Sequence, residues 1–304
     1  MSSGKILTTG LRFPEGPVTL PDGSLLVVEI ERGTLVRVTA NGAKSTVAHL
    51  GGGPNGAAIG PDGACYVCNN GGFKWHEEPQ LLRPVLQAEN YTGGSIQRVD
   101  LTTGEVITLY TGTTERPLKG PNDLVFDASG GFWFTDMGKA RERDIDRSVV
   151  YYARPDGSLL KPVISPMLGA NGIGISPDGR KLYVAETLTA RLWAFEITGP
   201  GTIRPQPWPS PNGGTLVTGM TRYQMFDSLA LEENGNICVA TIVAGGITVI
   251  SPTGELVDFV EVPDRYCTNI CFGGPDLRTA FITLSGTGQV LTMNWPRPGL
   301  RLNF

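Results

Sequence analysis

GPNDLVFDASGGFWFTD, residues 120–136, reads as a strand, a tight turn at Gly130 and a second strand. The first strand opens on a polar residue, Asn122, and the turn glycine follows eight positions later. The same frame recurs along the chain. The slot of Asn122 is taken by Glu15 in FPEGPV, Asn55 in GPNGAA, Asn171 in GANGIG, Asp227 in MFDSLA and Asn269 in CTNICF. In five of the six segments a glycine stands eight positions on, at Gly23, Gly63, Gly130, Gly179 and Gly235. Successive slots are 40, 67, 49, 56 and 42 residues apart, so the unit is a module of roughly 40 residues with insertions, the size of a four-stranded propeller blade.

Outward from each slot the modules parse alike. PVTL, SLLVVE, TLVRVTA and STVAHL fill the first, and LVFD, FWFTD, VVYYARP and LLKPVI the third. The pattern predicts an all-β fold, a six-bladed β-propeller of four-stranded antiparallel blades in one domain spanning residues 1–304, with blades starting near 13, 53, 120, 169, 225 and 267. The sixth module lacks an outer strand, and residues 4–9 are expected to supply it and close the ring. All six slot side chains then open onto one mouth of the central channel. Fourteen positions further on, the chain returns to that mouth at Glu29, Asn69, Asp136, Ala185, Thr241 and Thr283, a second and wider ring.

Composition narrows the function. A net charge of −4 without a Lys/Arg cluster gives no electrostatic footprint for nucleic acid or anionic lipid, so a small-molecule partner is expected. MSSGKILTTG has no basic region followed by an apolar core, which makes a cytoplasmic location the expectation. The five cysteines lack ligand spacing and read as buried thiols. Two histidines and no Gly-x-Ser-x-Gly leave little scope for a serine hydrolase, and no phosphate loop implies a nucleotide. No spacing encodes an oligomeric state.

Two insertions join second to third strands and so lie on the mouth: residues 71–94 and residues 137–147. The first reads as a lid that brings Trp75, His76, Arg83 and Tyr91 to the substrate, and its aromatic content suits a bulkier or less polar ligand. The stretch Thr198–Gly214 joins a third strand to a fourth and reads as a structural spacer on the opposite face.

An axial ring of one Glu, one Asp and several Asn offers hard oxygen donors, which suit Ca²⁺, Mg²⁺ or Mn²⁺. Glu15 and Asp227 facing one narrow channel would repel each other without a cation between them. The chain also resembles the family of senescence marker protein (regucalcin), gluconolactonase and luciferin-regenerating enzyme. Pro14-Glu15-Gly16-Pro17, Pro121-Asn122-Asp123, FWFTD ending at Asp136, Asn171-Gly172 with SPDGRKLYVAET, and Phe226-Asp227-Ser228 carry the resemblance over nearly the whole chain. It implies a six-bladed propeller with one divalent cation held by Glu15, Asn122, Asn171 and Asp227. Ca²⁺ is the first expectation, with Zn²⁺, Mn²⁺, Mg²⁺ and Fe²⁺ as further occupants, and the implied activity is hydrolysis of a sugar-acid lactone.

Asp136 is the foremost candidate for moving a proton, followed by Asp123 and by Asp227 as a ligand that also faces the reaction. Asn55 and Asn69 are expected to meet substrate hydroxyls, and Asn269 to be structural. Distant lactonase propellers that use a His dyad carry His where this chain has Asn55, which disfavours that mechanism. Two alternatives stay open: an esterase or lactonase for a bulkier substrate, and a non-catalytic propeller whose cation only stiffens the channel.

Overall fold

The five turn glycines of the repeat all have φ between 71° and 92° in the computed structural model, which describes residues 4–304. Side chains other than glycine are strained there, and each turn folds the second strand back antiparallel on the first. The result is six antiparallel sheets in a ring. Blade 1, for example, runs Pro14–Thr19, Leu25–Glu29, Thr34–Val38 and Lys44–His49. The innermost strands pack in succession, and that of blade 6 packs against that of blade 1. No helix occurs among the described residues, so none is long and apolar enough to cross a membrane.

Closure falls to the N-terminal strand. Lys5–Thr8 pairs antiparallel with Gln289–Asn294, Lys5 opposite Thr292, and becomes the outer strand of blade 6. Two segments hold more regular structure than their sequence suggests. The insertion at 71–94 contains a hairpin, Phe73–Glu78 paired with Leu81–Gln87. The Thr198–Gly214 spacer is itself partly strand: Arg191–Gly199 runs long and pairs with both Thr202–Arg204 and Thr215–Gly219, giving blade 4 five strands.

The core lies between blades, which explains why FWFTD is apolar without alternation. Phe132 and Phe134 face Tyr66 and Cys68 of blade 2, while Trp133 between them packs with Leu182 and Val184 of blade 4. Each fully buried aromatic of this kind stabilises by roughly 1.5–3 kcal/mol. A strand buried on both faces reads as a continuous apolar run.

After blade 6 the chain crosses the face opposite the mouth. Gly299 sits against Phe272 of blade 6, Leu300 N–H donates to Leu231 O of blade 5 (2.8 Å), and Asn303 Nδ2 donates to Phe126 O of blade 3 (2.8 Å). Buried Glu232 holds this tail, accepting from Trp295 Nε1 (2.7 Å), Arg297 Nε and Asn236 Nδ2 (2.9 Å).

Candidate active site

The slot side chains reach the channel through a backbone device. In every blade the ladder between first and second strands slips at the slot: Pro121 faces Asp136 but Leu124 faces Phe134, and Ala170 faces Glu186 but Ile173 faces Val184. One extra residue on the inner strand is a β-bulge, which bends the strand and re-aims the side chain. The slips recur at Glu15/Val18, Pro54/Ala57, Phe226/Leu229 and Cys267/Asn269. Glycine after the slot lets adjacent inner strands touch. A Cβ on Gly16 would stand 2.4 Å from Asn55 O, and one on Gly172 would stand 2.7 Å from Asp227 O.

Glu15, Asn55, Asn122, Asp123, Asn171, Asp227 and Asn269 are all buried there. The amides are oriented by their nitrogens. Asn122 Nδ2 contacts Met137 Sδ (3.7 Å) and Asn171 Nδ2 donates to Thr187 Oγ1 (3.1 Å). Asn171 Oδ1 has only a long contact from Ser228 Oγ (3.4 Å), and Asn122 Oδ1 is buried with no hydrogen-bond partner among the described residues. Asn269 is turned the other way, its Nδ2 donating to Glu15 Oε2 (2.7 Å). It braces the Glu15 carboxylate.

The carboxylates crowd one another. Burial, followed by the charge of Glu15, pushes Asp123 up to about 7. Burial and then Glu15 also raise Asp227 well above the ordinary range, with Asp123 adding to the effect and the Asn171 amide opposing it. Glu15 is raised by burial against the donors Asn269, Gly16 N–H and Thr268. Crowded carboxylates beside an orphaned carbonyl oxygen are donors of the kind a cation satisfies. Glu15, Asn122, Asn171 and Asp227 therefore fit a hard divalent ion. The set mixes two carboxylates with two amides, and among the described residues no three His, Cys, Asp or Glu gather closely enough to hold a metal alone.

The second ring has a different use from the one its sequence suggests. Asp136 accepts Lys119 N–H (2.8 Å), Gly120 N–H (2.6 Å) and Gly138 N–H (3.1 Å), so its two oxygens are committed to loop backbone. Burial raises its pKa against those three donors. Asn69 likewise accepts Gly53 N–H (2.8 Å) and Gly71 N–H (3.0 Å) and donates to Gly51 O and Gln97 Oε1. Glu29 accepts Arg12 N–H and Glu186 accepts Leu168 N–H, each 2.9 Å. These residues latch the loops that lead into the inner strands of blades 1 to 4, with Glu186 rather than its neighbour Ala185 serving blade 4. Three of the roughly four acceptor positions of Asp136 and all of the hydrogen-bonding capacity of Asn69 are thus spent on neighbouring groups, which tells against the proton-transfer and substrate-binding roles expected of them.

Hairpin 73–87 reaches across the mouth. Arg12 of blade 1 pairs with Glu77 (2.7 Å), Leu82 N–H donates to Gly286 O of blade 6 (2.9 Å), and Tyr91 Oη donates to Lys119 O of blade 3 (2.6 Å). Trp75 packs on Phe13 (5.2 Å) and Phe73 (6.0 Å), and Phe13 on Tyr266 (6.0 Å), which makes Trp75 part of the lid's packing. His76 is exposed and bonded to Glu78 (2.8 Å), away from any buried group of the site. Arg83, 4.0 Å from Glu78, is placed beside Tyr266.

Lys139 was not singled out by sequence and pins the hairpin base. Its buried Nζ donates to Gly72 O (2.7 Å) and Asn70 O (2.8 Å) and lies over the rings of Phe73 (4.1 Å) and Tyr91 (5.3 Å). Burial pulls the ammonium down to about 7, while the charges of Asp136 and Asp146 pull it up. Lys139→Met would leave those carbonyls without their donor, at about 1–3 kcal/mol. Proteolytic cleavage within 73–87 is expected to accelerate about tenfold or more. Equal cleavage rates in both proteins would deny Lys139 this role.

A sequence model of the family described as SMP-30/gluconolactonase/LRE-like region matches residues 13–286. Lactonase drp35 of Staphylococcus epidermidis is 28% identical over 265 residues, covering 86% of this chain and 73% of the relative. Among solved structures, a gluconolactonase from Xanthomonas campestris superposes with a TM-score of 0.74 at 20% identity, covering 96% of this chain and 89% of that one. A calcium-binding regucalcin from Agrobacterium tumefaciens superposes with a TM-score of 0.76 at 18% identity, covering 99% and 98%.

Proposed function

The chain belongs to the SMP-30/gluconolactonase/LRE-like family, and from that premise we propose that it is a lactonase that opens its substrate with the help of a divalent cation at the channel mouth. The observation that carries the reading is the orphaned Asn122 Oδ1 beside the mutually repelling carboxylates Glu15, Asp123 and Asp227. A relative named a lactonase supports the activity, and the calcium-binding regucalcin makes Ca²⁺ the first ion to test.

Glu15, Asn122, Asn171 and Asp227 would hold the cation, which when bound supplies Lewis-acid polarisation and a more acidic water. Asp123 is the carboxylate of the cluster left outside that ligand set. Buried beside the ligands, it is placed to take and return a proton. It accepts a proton from the attacking water as the water oxygen bonds to the lactone carbonyl carbon. That proton passes to the ring oxygen as the C–O bond breaks, so one lactone and one water give one hydroxy acid. The amide nitrogens of Asn122 and Asn171, fixed by Met137 and Thr187, keep oxygens facing the channel, and the hairpin limits bulk water. The family resemblance implies an aldonic-acid lactone.

Proton release from gluconolactone and from alkyl lactones, with and without chelator, tests the activity. Turnover that chelator abolishes is expected, and no chelator-sensitive turnover of any lactone or ester would favour a binding module. Asp123→Asn should retain the cation and lose about 10²- to 10⁴-fold in rate. Undiminished turnover in this variant would place the base elsewhere.

Proton linkage gives a second test. Because these carboxylates titrate higher folded than unfolded, the folded protein holds more protons from about pH 4 to about 7, and cation-free stability falls as pH rises through that window. A bound cation replaces those protons. The rise in Tm on adding Ca²⁺ should therefore be small at pH 5 and several degrees at pH 7.5 by scanning calorimetry. An equal rise at both values would contradict the assignment.

A further inference from the structure

One wall of the mouth is apolar, unlike the rest of the rim. The mouth loops of blade 4 read Met167-Leu168-Gly169-Ala170 and Thr187-Leu188-Thr189-Ala190, and the turn between the second and third strands of blade 5 reads Val243-Ala244-Gly245. None of these three carries a charge, while the loop into blade 5, residues 219–224, carries Arg222 and borders the wall through Met220 N–H donating to Ala190 O (3.0 Å). The threonines are already bonded, Thr187 Oγ1 accepting from Asn171 and Thr189 Oγ1 donating to Glu186. By contrast, blade 1 presents Glu31 and Arg32 at the corresponding turn, and the hairpin presents Glu77 and Glu78. On the flank of the wall Arg141 is neutralised by Asp144 and Asp146, while Arg265 stands beside Val243.

Leu168 and Leu188 are 41% and 51% exposed, and Val243 is 37% exposed. Isolated apolar residues on a surface are ordinary, but Leu188 leads toward the site. A methyl placed on Gly169 would lie 3.1 Å from Leu188 Cγ and 3.5 Å from Met137 Cε, so both side chains flank one bare spot. Met137 Sδ in turn touches the Asn122 amide whose oxygen is orphaned. An apolar track thus runs from the exposed rim to the reacting centre.

We propose that the substrate is a lactone bearing an alkyl or aryl substituent, with the ring at the buried carboxylate cluster and the substituent along Met137, Leu168 and Leu188. This inference rests on the lactone-opening reading above. Leucine side chains cannot pair hydroxyls, so the polyol face of a sugar lactone placed here would lose the hydrogen bonds it makes to water. An alkyl chain gains instead, at up to about fourfold in kcat/KM per buried methylene.

The test compares γ-butyrolactone, γ-valerolactone, γ-heptalactone, γ-nonalactone and D-glucono-δ-lactone on the Ca²⁺-loaded protein and on Leu188→Asn and Leu168→Asn, with circular dichroism confirming the fold. Expected are a kcat/KM that climbs along the alkyl series, glucono-δ-lactone below γ-nonalactone, and a nonalactone-to-butyrolactone ratio reduced about tenfold in Leu188→Asn. Calorimetric binding of a non-hydrolysable γ-alkyl lactam should show the same order with a negative heat-capacity change. A flat series, a preference for the sugar lactone, or an unchanged ratio in both variants overturns the substituent assignment while leaving lactone opening intact. Turnover of none of the five overturns the hydrolase reading itself, and the substituent assignment falls with it.

Discussion

Asp227→Asn is expected to abolish divalent-cation binding, to lower kcat/KM by about 10³-fold or more, and to raise the melting temperature of the cation-free protein. The first two effects follow from chemistry. Removing one of two anionic donors takes away most of what attracts the ion, and several kcal/mol of lost polarisation, at about 1.4 kcal/mol per factor of ten, amounts to about 10³ in rate. The third follows from electrostatics. Asp227 is buried against Glu15 and Asp123, so a neutral amide of the same shape relieves repulsion in the folded state. A purely structural Asp227 would show the opposite sign, with its replacement lowering Tm and leaving cation titrations unchanged. Isothermal titration with Ca²⁺ and scanning calorimetry with and without chelator separate the two. A Tm increment on adding Ca²⁺ that survives in Asp227→Asn would remove Asp227 from the ligand set.

Glu232→Ala is expected to cost about 3 kcal/mol, because it strips a buried carboxylate from Arg297, Trp295 and Asn236 together. In the wild type, burial disfavours the Glu232 charge, and the Arg297, Trp295 and Asn236 donors outweigh it and hold the carboxyl below its usual range. Arg297 is partly exposed and can rehydrate, so the effect should sit at the lower end for broken buried pairs. Calorimetry should show a fall in Tm of roughly 5 °C or more. A change of under one degree would mean that the tail adds nothing to the ring. The lactone kinetics should stay as they are, since Glu232 lies on the face away from the carboxylate cluster.

The blade frame was legible because two constraints fall at fixed spacing: a polar residue at the start of each inner strand and a glycine at five of the six turns that follow. The closing strand Lys5–Thr8 was legible by elimination, as blade 6 lacked its outer strand. Other features left weaker marks. The bulges that aim the slot residues are backbone events with no side-chain signature. Asp136 and Asn69 look alike in sequence whether a polar strand end faces a channel or latches a loop. The glycine two positions after each, Gly138 and Gly71, was the available sign, since a side-chain oxygen accepting an N–H two residues on is a turn motif. Lys139 stood as one cation among Arg141, Arg143 and Arg147, and nothing local announced its burial. The hairpin's charged segment KWHEE and Pro84 concealed its pairing.

Blades 3 and 6 stand opposite each other in a six-membered ring, and the final residues run from Phe272 of one to Phe126 of the other. A diagonal tie of this kind does two things that the seam at Lys5–Thr8 cannot. It fastens the far ends of the inner strands of blades 6, 5 and 3 to one another on the face away from the carboxylate cluster. It also means that prising the toroid apart requires two independent ruptures, one at the perimeter and one across the diameter.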